Sequence, residues 1–257
     1  MSDLWYFDSH AHYDARRFRE DQKEVLAQME PSGIRRIMNI GCDLASSHTS
    51  IALAEEYDFI YAAVGSHPDD AAAVDEGRVE EYRRLANHPK VKAIGEIGLD
   101  YYYEDVPRKK QQEAFRMQMA LAKELDMPVI IHQRDAYEDC LKIVDEFPEV
   151  KGVFHCFSGS VEYAKEVLKR GYYIGFTGVI TFKNARKAVE VAEYAPLNRL
   201  LLETDCPYMA PEPFRGKRCD STMLPKMAEK IADLRGLAVE EIAKITRENA
   251  MKLFGIA

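Results

Sequence analysis

The chain has 257 residues, enough to bury about 70–75% of its unfolded surface without a disulfide or structural metal. Hydrophobic residues make up 47% and charged residues 30%, with a formal net charge of −8, which excludes a basic nucleic-acid coat protein but not an enzyme that meets phosphate locally. Five scattered cysteines with no CxxC spacing read as reduced thiols of a cytoplasmic protein, residues 1–5 show no leader signal, and no apolar run approaches the ~20 residues that cross a bilayer.

Short apolar runs alternate with polar, helical stretches along the chain. The first run, 4–12, ends Phe7-Asp8-Ser9-His10-Ala11-His12 and precedes an amphipathic stretch at 22–29. Run 36–41 leads into a helix at 44–57, and run 59–67 ends Gly65-Ser66-His67-Pro68. Run 91–100 ends Gly95-Glu96-Ile97-Gly98-Leu99-Asp100, before a helix at 107–125 in which Phe115, Met119 and Ala122 share one face. Run 127–134 contains Pro128-Val129-Ile130-Ile131-His132 and leads into a helix at 137–147. Run 152–158 carries Phe154-His155-Cys156-Phe157, and helix 161–170 follows. Run 172–179 precedes helix 185–194. Run 199–207 ends Leu202-Glu203-Thr204-Asp205-Cys206-Pro207, followed by helices at 222–237 and 239–254.

Continuous apolar runs suit parallel strands buried on both faces. Eight β-then-α repeats without a linker predict one domain, 1–257: an α/β fold, a single (β/α)8 TIM barrel with C-terminal helices, with an open doubly wound sheet as runner-up.

In such a barrel the strands' C-terminal ends share one rim, so the polar residues there are candidates for chemistry. His10 and His12, two apart on a strand, point to one face and can chelate a cation. Glu96 has two carboxylate oxygens and can bridge two cations ~3.5–4 Å apart. His132 and His155 end the fifth and sixth strands, placed for a second cation, and Asp205 ends the eighth. Histidines with carboxylates suit Zn²⁺, Mn²⁺, Co²⁺ or Ni²⁺; mainly oxygen donors would suit Mg²⁺. No Gly-rich phosphate or dinucleotide loop is present, so no organic cofactor is expected.

These segments resemble the TatD family of metal-dependent deoxyribonucleases, within the amidohydrolase-like superfamily. The resemblance runs from about Phe7 to Phe254 and also includes Pro213-Phe214-Arg215-Gly216-Lys217-Arg218; its most specific parts are Gly95–Asp100 in register with Leu201–Tyr208. It implies two divalent ions per subunit, with His10, His12 and Asp205 holding one, His132 and His155 the other, and Glu96 bridging. His67 resembles a family histidine near the phosphate. The implied reaction is phosphodiester cleavage in DNA from a free 3′ end of a single strand. One departure stands out: Cys219-Asp220-Ser221 occupies the place where the family typically reads Asn-Glu-Pro, which puts substrate preference in question.

The expected mechanism is two-metal activation of water, with Asp205 as proton acceptor and Glu96 and His67 at the reacting group. Arg134, Arg215, Lys217 and Arg218 are candidate phosphate contacts, and Tyr101–Tyr103, Tyr101 foremost, could stack a base. A monomer with no membrane attachment is expected. The alternatives are hydrolysis of small amides, esters or lactones by the same water, and a non-catalytic binding barrel.

Overall fold

The structure, a computed structural model, describes residues 4–103 and 105–257; residues 1–3, part of the leader reading, lie outside them. The eight strands are β1 (Tyr6–Ala11), β2 (Ile34–Ile40), β3 (Ile60–Val64), β4 (Val91–Asp100), β5 (Val129–Arg134), β6 (Gly152–Phe154), β7 (Tyr173–Phe176) and β8 (Leu200–Leu202). The α-helices are α1 (Gln22–Leu26), α2 (Leu44–Glu56), α3 (Glu76–Ala86), α4 (Arg108–Leu125), α5 (Tyr137–Asp145), α6 (Val161–Lys169), α7 (Arg186–Tyr194), α8 (Leu224–Arg235) and α9 (Val239–Phe254).

The strands form one sheet in chain order, β1 to β8. The pairings β3–β4, β4–β5, β5–β6 and β7–β8 are parallel. Just past its last residues β1 meets the chain leaving β8: Ala11 bridges Cys206 in parallel, the Asp205 N–H donates to the His10 carbonyl (2.9 Å), and the His12 N–H donates to the Cys206 carbonyl (2.9 Å). This is the connectivity of the expected (β/α)8 barrel.

The chain packs as two compact units: the chain up to Met38 with Cys156–Lys169 and Tyr173–Ala257, and Asn39–His155 with Arg170–Tyr172. In the first, α9 packs on β1 and β8 and α8 packs on α9, with Phe7 and Phe254 at 6.0 Å between ring centroids. In the second, α2 packs on β3 and α4 on β4. Helix α2 starts where it does because Asp43 accepts from the Ser46 N–H (2.7 Å) while the Ser46 hydroxyl meets the Asp43 N–H (2.9 Å), a reciprocal cap. Gly98 lies at φ +137°, and a Cβ there would stand 2.0 Å from the His132 carbonyl oxygen, so only glycine lets β4 and β5 approach at this point.

The elements differ from the sequence expectation in two ways. Strands β6 and β8 span three residues each, although their apolar runs continue. The chain turns out of the sheet at Cys156 (φ +43°) and Asp205 (φ +56°), left-handed conformations that no extended run accommodates. Helix α3 was not read from the sequence because only Val79 and Tyr82 of its residues are buried; its cap, Asp75 accepting from the Arg78 N–H at 2.8 Å, and surface ion pairs such as Arg84–Glu81 (2.9 Å) support it instead. No described helix is long and apolar enough to cross a membrane.

Candidate metal centre

In the first unit the alternation of β1 brings His10 and His12 to one face. Their Nε2 atoms are 3.0 Å apart, and Asp205 Oδ1 lies 3.7 Å from the first and 3.4 Å from the second. Ligands of a tetrahedral site with bonds of about 2.0–2.1 Å stand roughly 3.3 Å from one another. The three donor atoms therefore fit one divalent cation.

A buried carboxylate fixes this arrangement from beneath. Asp8 accepts from the Thr204 N–H (2.9 Å), the Thr204 hydroxyl (2.6 Å), the Ser221 hydroxyl (2.6 Å) and, at 3.3 Å, the His10 N–H. Burial pushes its carboxyl up from 3.8 to about 6, against the pull of these donors. It thus links β1 to the residue before Asp205. Ser221 belongs to the segment that departs from the family pattern. Its hydroxyl accepts from the Tyr13 O–H (2.8 Å) and donates to Asp8 (2.6 Å), a bond that a proline at this place could not make. Asp220 turns to its own short helix, accepting from the Thr222 N–H at 2.9 Å. A second buried carboxylate, Glu203, takes the Cys156 N–H and the Ser9 hydroxyl, and burial holds it well above the usual carboxylate range. Glycine at 175 makes room for it: a Cβ there would meet Glu203 Oε2 at 2.4 Å.

In the second unit Glu96 Oε1 stands 2.9 Å from His132 Nδ1 and 2.7 Å from His155 Nε2, and the two nitrogens are 3.1 Å apart. These separations also match the ligand spacing of a tetrahedral cation. The β4–β5 register shifts between Ile94 and Ile97, which re-aims Glu96 relative to a regular strand. His67 Nε2 lies 3.8 Å from the same Glu96 oxygen, while its Nδ1 accepts from the Asp69 N–H (3.2 Å). His67, Glu96 and His132 form a potential three-donor group.

Asp100 is the residue that the sequence reading missed. Its Oδ2 lies 3.0 Å from His132 Nε2, and its Oδ1 accepts from the Tyr102 N–H (2.9 Å). With Nε2 given to Asp100, Nδ1 of His132 is the nitrogen left for a cation. The signal was present: Glu96, Gly98 and Asp100 are two apart on one strand and share a face. Asp100→Asn is expected to weaken divalent-metal affinity by about 10–100-fold, read by competition with a chelator.

Burial pulls the His132 imidazole down, but Asp100 and Glu96 more than offset it and raise it from 6.5 to about 9. A folded value above the unfolded one means stability present below pH 6.5 and lost as pH rises through about 9. Metal-stripped protein is therefore expected to lose several degrees of Tm across that window, and His132→Gln to flatten the slope, measured by thermal melts in a series of buffers.

The candidate substrate contacts lie in different settings. The Tyr101 hydroxyl donates to Asp139 (3.0 Å) and accepts from Gln112 (2.7 Å), and Arg108 covers its ring at 4.4 Å, so the side chain is committed within the fold. Tyr102 and Tyr103 are the exposed rings of that stretch, at 56% and 49%, with the Arg134 guanidinium 3.7 Å over Tyr102. Arg215 lies over Phe182 (4.4 Å) and Lys217 by Phe214 (5.9 Å). Arg218 is held in a bidentate pair with Asp21 (2.6 and 2.7 Å).

Comparison with known proteins agrees with this picture. The family profile described as TatD related DNase matches residues 7–255. The chain is 46% identical to the uncharacterized metal-dependent hydrolase YabD of Bacillus subtilis, over 97% of this chain and 99% of that one. It is 35% identical to the 3'-5' ssDNA/RNA exonuclease TatD of Citrobacter rodentium, over 97% and 98%. The crystal structure of YJJV, a TatD homolog from Escherichia coli, superposes with a TM-score of 0.92 at 32% identity, covering 98% of both chains. The chain belongs to the TatD family of metal-dependent hydrolases, enzymes acting on ester bonds.

Proposed function

We propose that this chain is a two-metal 3′-to-5′ exonuclease on single-stranded DNA. The observation that carries the reading is the convergence of Glu96 Oε1 on His132 Nδ1 and His155 Nε2 at 2.9 and 2.7 Å, a carboxylate and two imidazoles at coordination spacing. His10, His12 and Asp205 would hold one divalent cation, and Glu96, His132 and His155 another. Relatives named as ssDNA/RNA exonucleases support nucleic acid as substrate.

Bound there, the cations would neutralise charge on the phosphoryl oxygens and lower the pKa of the attacking water. The protein does the rest. Asp205 accepts the proton of the water that attacks phosphorus, and as the bond from phosphorus to the departing nucleoside oxygen breaks, that oxygen takes up the proton. Asp100 keeps His132 in one tautomer. His67 stands beside Glu96 to hold a non-bridging oxygen. Arg134 with Tyr102 and Tyr103 offers a cation and two π-faces to the terminal nucleotide.

The test is a 5′-labelled single-stranded oligonucleotide incubated with Mg²⁺, Mn²⁺, Zn²⁺, Co²⁺ or Ni²⁺. A ladder of progressively shorter labelled products is expected. Turnover of small esters or amides with the oligonucleotide left intact would overturn the nuclease reading.

A further inference from the structure

A groove in the first unit is lined by Arg16, Arg17, Arg19, Glu20, Asp21 and Arg218. Four arginines in one groove are unusual for a chain with net charge −8. They cluster there for a local reason. Right after His12 the chain makes a tight turn, with the Ala15 N–H donating to the His12 carbonyl (3.1 Å), and then a short 3₁₀ turn at Arg16–Phe18. Phe18 is fully buried, 4.8 Å from the Tyr13 ring, and pins this turn to the fold. Arg16, Arg17 and Arg19 flank that anchor and are exposed.

The arginines are not equivalent. Arg218 and Asp21 neutralise each other through their bidentate pair. Arg17 spends one N–H on the Pro207 carbonyl (3.2 Å), two residues beyond Asp205. Among the described residues, Arg16 and Arg19 meet no carboxylate at ion-pair distance. With Asp21 paired to Arg218, the groove lining carries three further positive charges and one further carboxylate, Glu20, between the chain leaving His12 and the chain leaving Asp205.

We infer that Arg16, Arg17 and Arg19 form a backbone track that holds the phosphates of a single nucleic-acid strand beside the His10–His12–Asp205 cluster. This rests on the nuclease reading above and names the contacts for the part of the strand away from the cleaved bond. Guanidinium groups suit phosphate because their N–H forks pair with its oxygens, and phosphate contacts fix position without reading sequence. Exposed, unpaired arginines give up little to make those bonds. The track explains how an acidic chain can retain a polyanion, and it requires affinity to depend on strand length and on salt.

The experiment measures binding and turnover separately. Binding of a labelled oligothymidylate of about 12 nucleotides is followed by fluorescence anisotropy over a salt series, and its shortening is followed in parallel with added Mn²⁺. Arg16→Ala/Arg19→Ala removes two contacts on exposed side chains. It is expected to bind about 20-fold more weakly at ~0.1 M salt, with a log K against log salt slope shallower by about 1.4. Arg16→Lys/Arg19→Lys should restore most of the affinity and the slope, which a lost structural contact would not. Equal affinity and slope in parent and alanine variant, or no binding by the parent, would overturn the track. A parent that binds through these arginines yet never shortens the strand would overturn the nuclease function and leave the track standing.

Discussion

Glu96→Gln is expected to hold less metal than the parent and to lose turnover by at least ~10³-fold, a barrier increase of roughly 4 kcal/mol, while folding normally. The substitution keeps the shape and replaces one carboxylate oxygen by an N–H₂ group. That group cannot ligate a cation, and its protons would face the imidazole nitrogens that now lie 2.7 and 2.9 Å from Oε1. The charge lost is buried: the residue is 3% exposed, so no solvent replaces the missing electrostatic attraction. The amide relieves a desolvated carboxylate but also removes an anion that helps hold His132 protonated, so the two effects oppose and the stripped variant should melt within a few degrees of the parent. Metal content by elemental analysis, together with the melting temperature of the stripped forms, checks the argument. A variant with parental metal content would show that Glu96 is not a ligand. A variant that unfolds would show that its role is structural.

The fold was legible because each strand declares itself by an unbroken apolar run, and eight such runs admit few topologies. The ends of the strands were less legible. β6 and β8 stop where a left-handed residue turns the chain, and apolar content does not register backbone sign. Helix α3 escaped for the opposite reason: its charged surface hides the two-residue apolar stripe of Val79 and Tyr82. At the proposed site, the candidate ligands are easier to read than the residues that support them. His10, His12, Glu96, His132, His155 and Asp205 stand out as polar side chains ending apolar strands. Asp100 and Asp8 end or interrupt the same runs, but their partners, His132 in one case and Thr204 and Ser221 in the other, come from distant segments. Tyr101 misled for a similar reason, since its neighbours Asp139 and Gln112 are supplied by α5 and α4. The arginines after His12 are not legible as a site from sequence, because a run of charge reads as solvated surface until the turn around Phe18 shows what it borders.

Asp205→Asn is expected to cost about as much activity as the change at Glu96, by a different route. The residue sits at φ +56°, a conformation that asparagine and aspartate tolerate and alanine does not, so asparagine isolates the carboxylate from backbone strain. Its N–H bond to the His10 carbonyl (2.9 Å) and its carbonyl's bond from the Tyr208 N–H (2.9 Å) survive the change. What disappears is the anionic oxygen 3.4 Å from His12 Nε2 and 3.7 Å from His10 Nε2, the carboxylate that completes this three-donor set, and with it the proposed acceptor for the water's proton. Turnover of the labelled oligonucleotide should fall by ~10³-fold or more, with the melting temperature of the stripped protein within a few degrees of the parent. Strand binding should persist, because the arginines after His12 are untouched. A variant that still shortens the strand at a tenth of the parental rate would remove Asp205 from both roles and move the proton acceptor elsewhere.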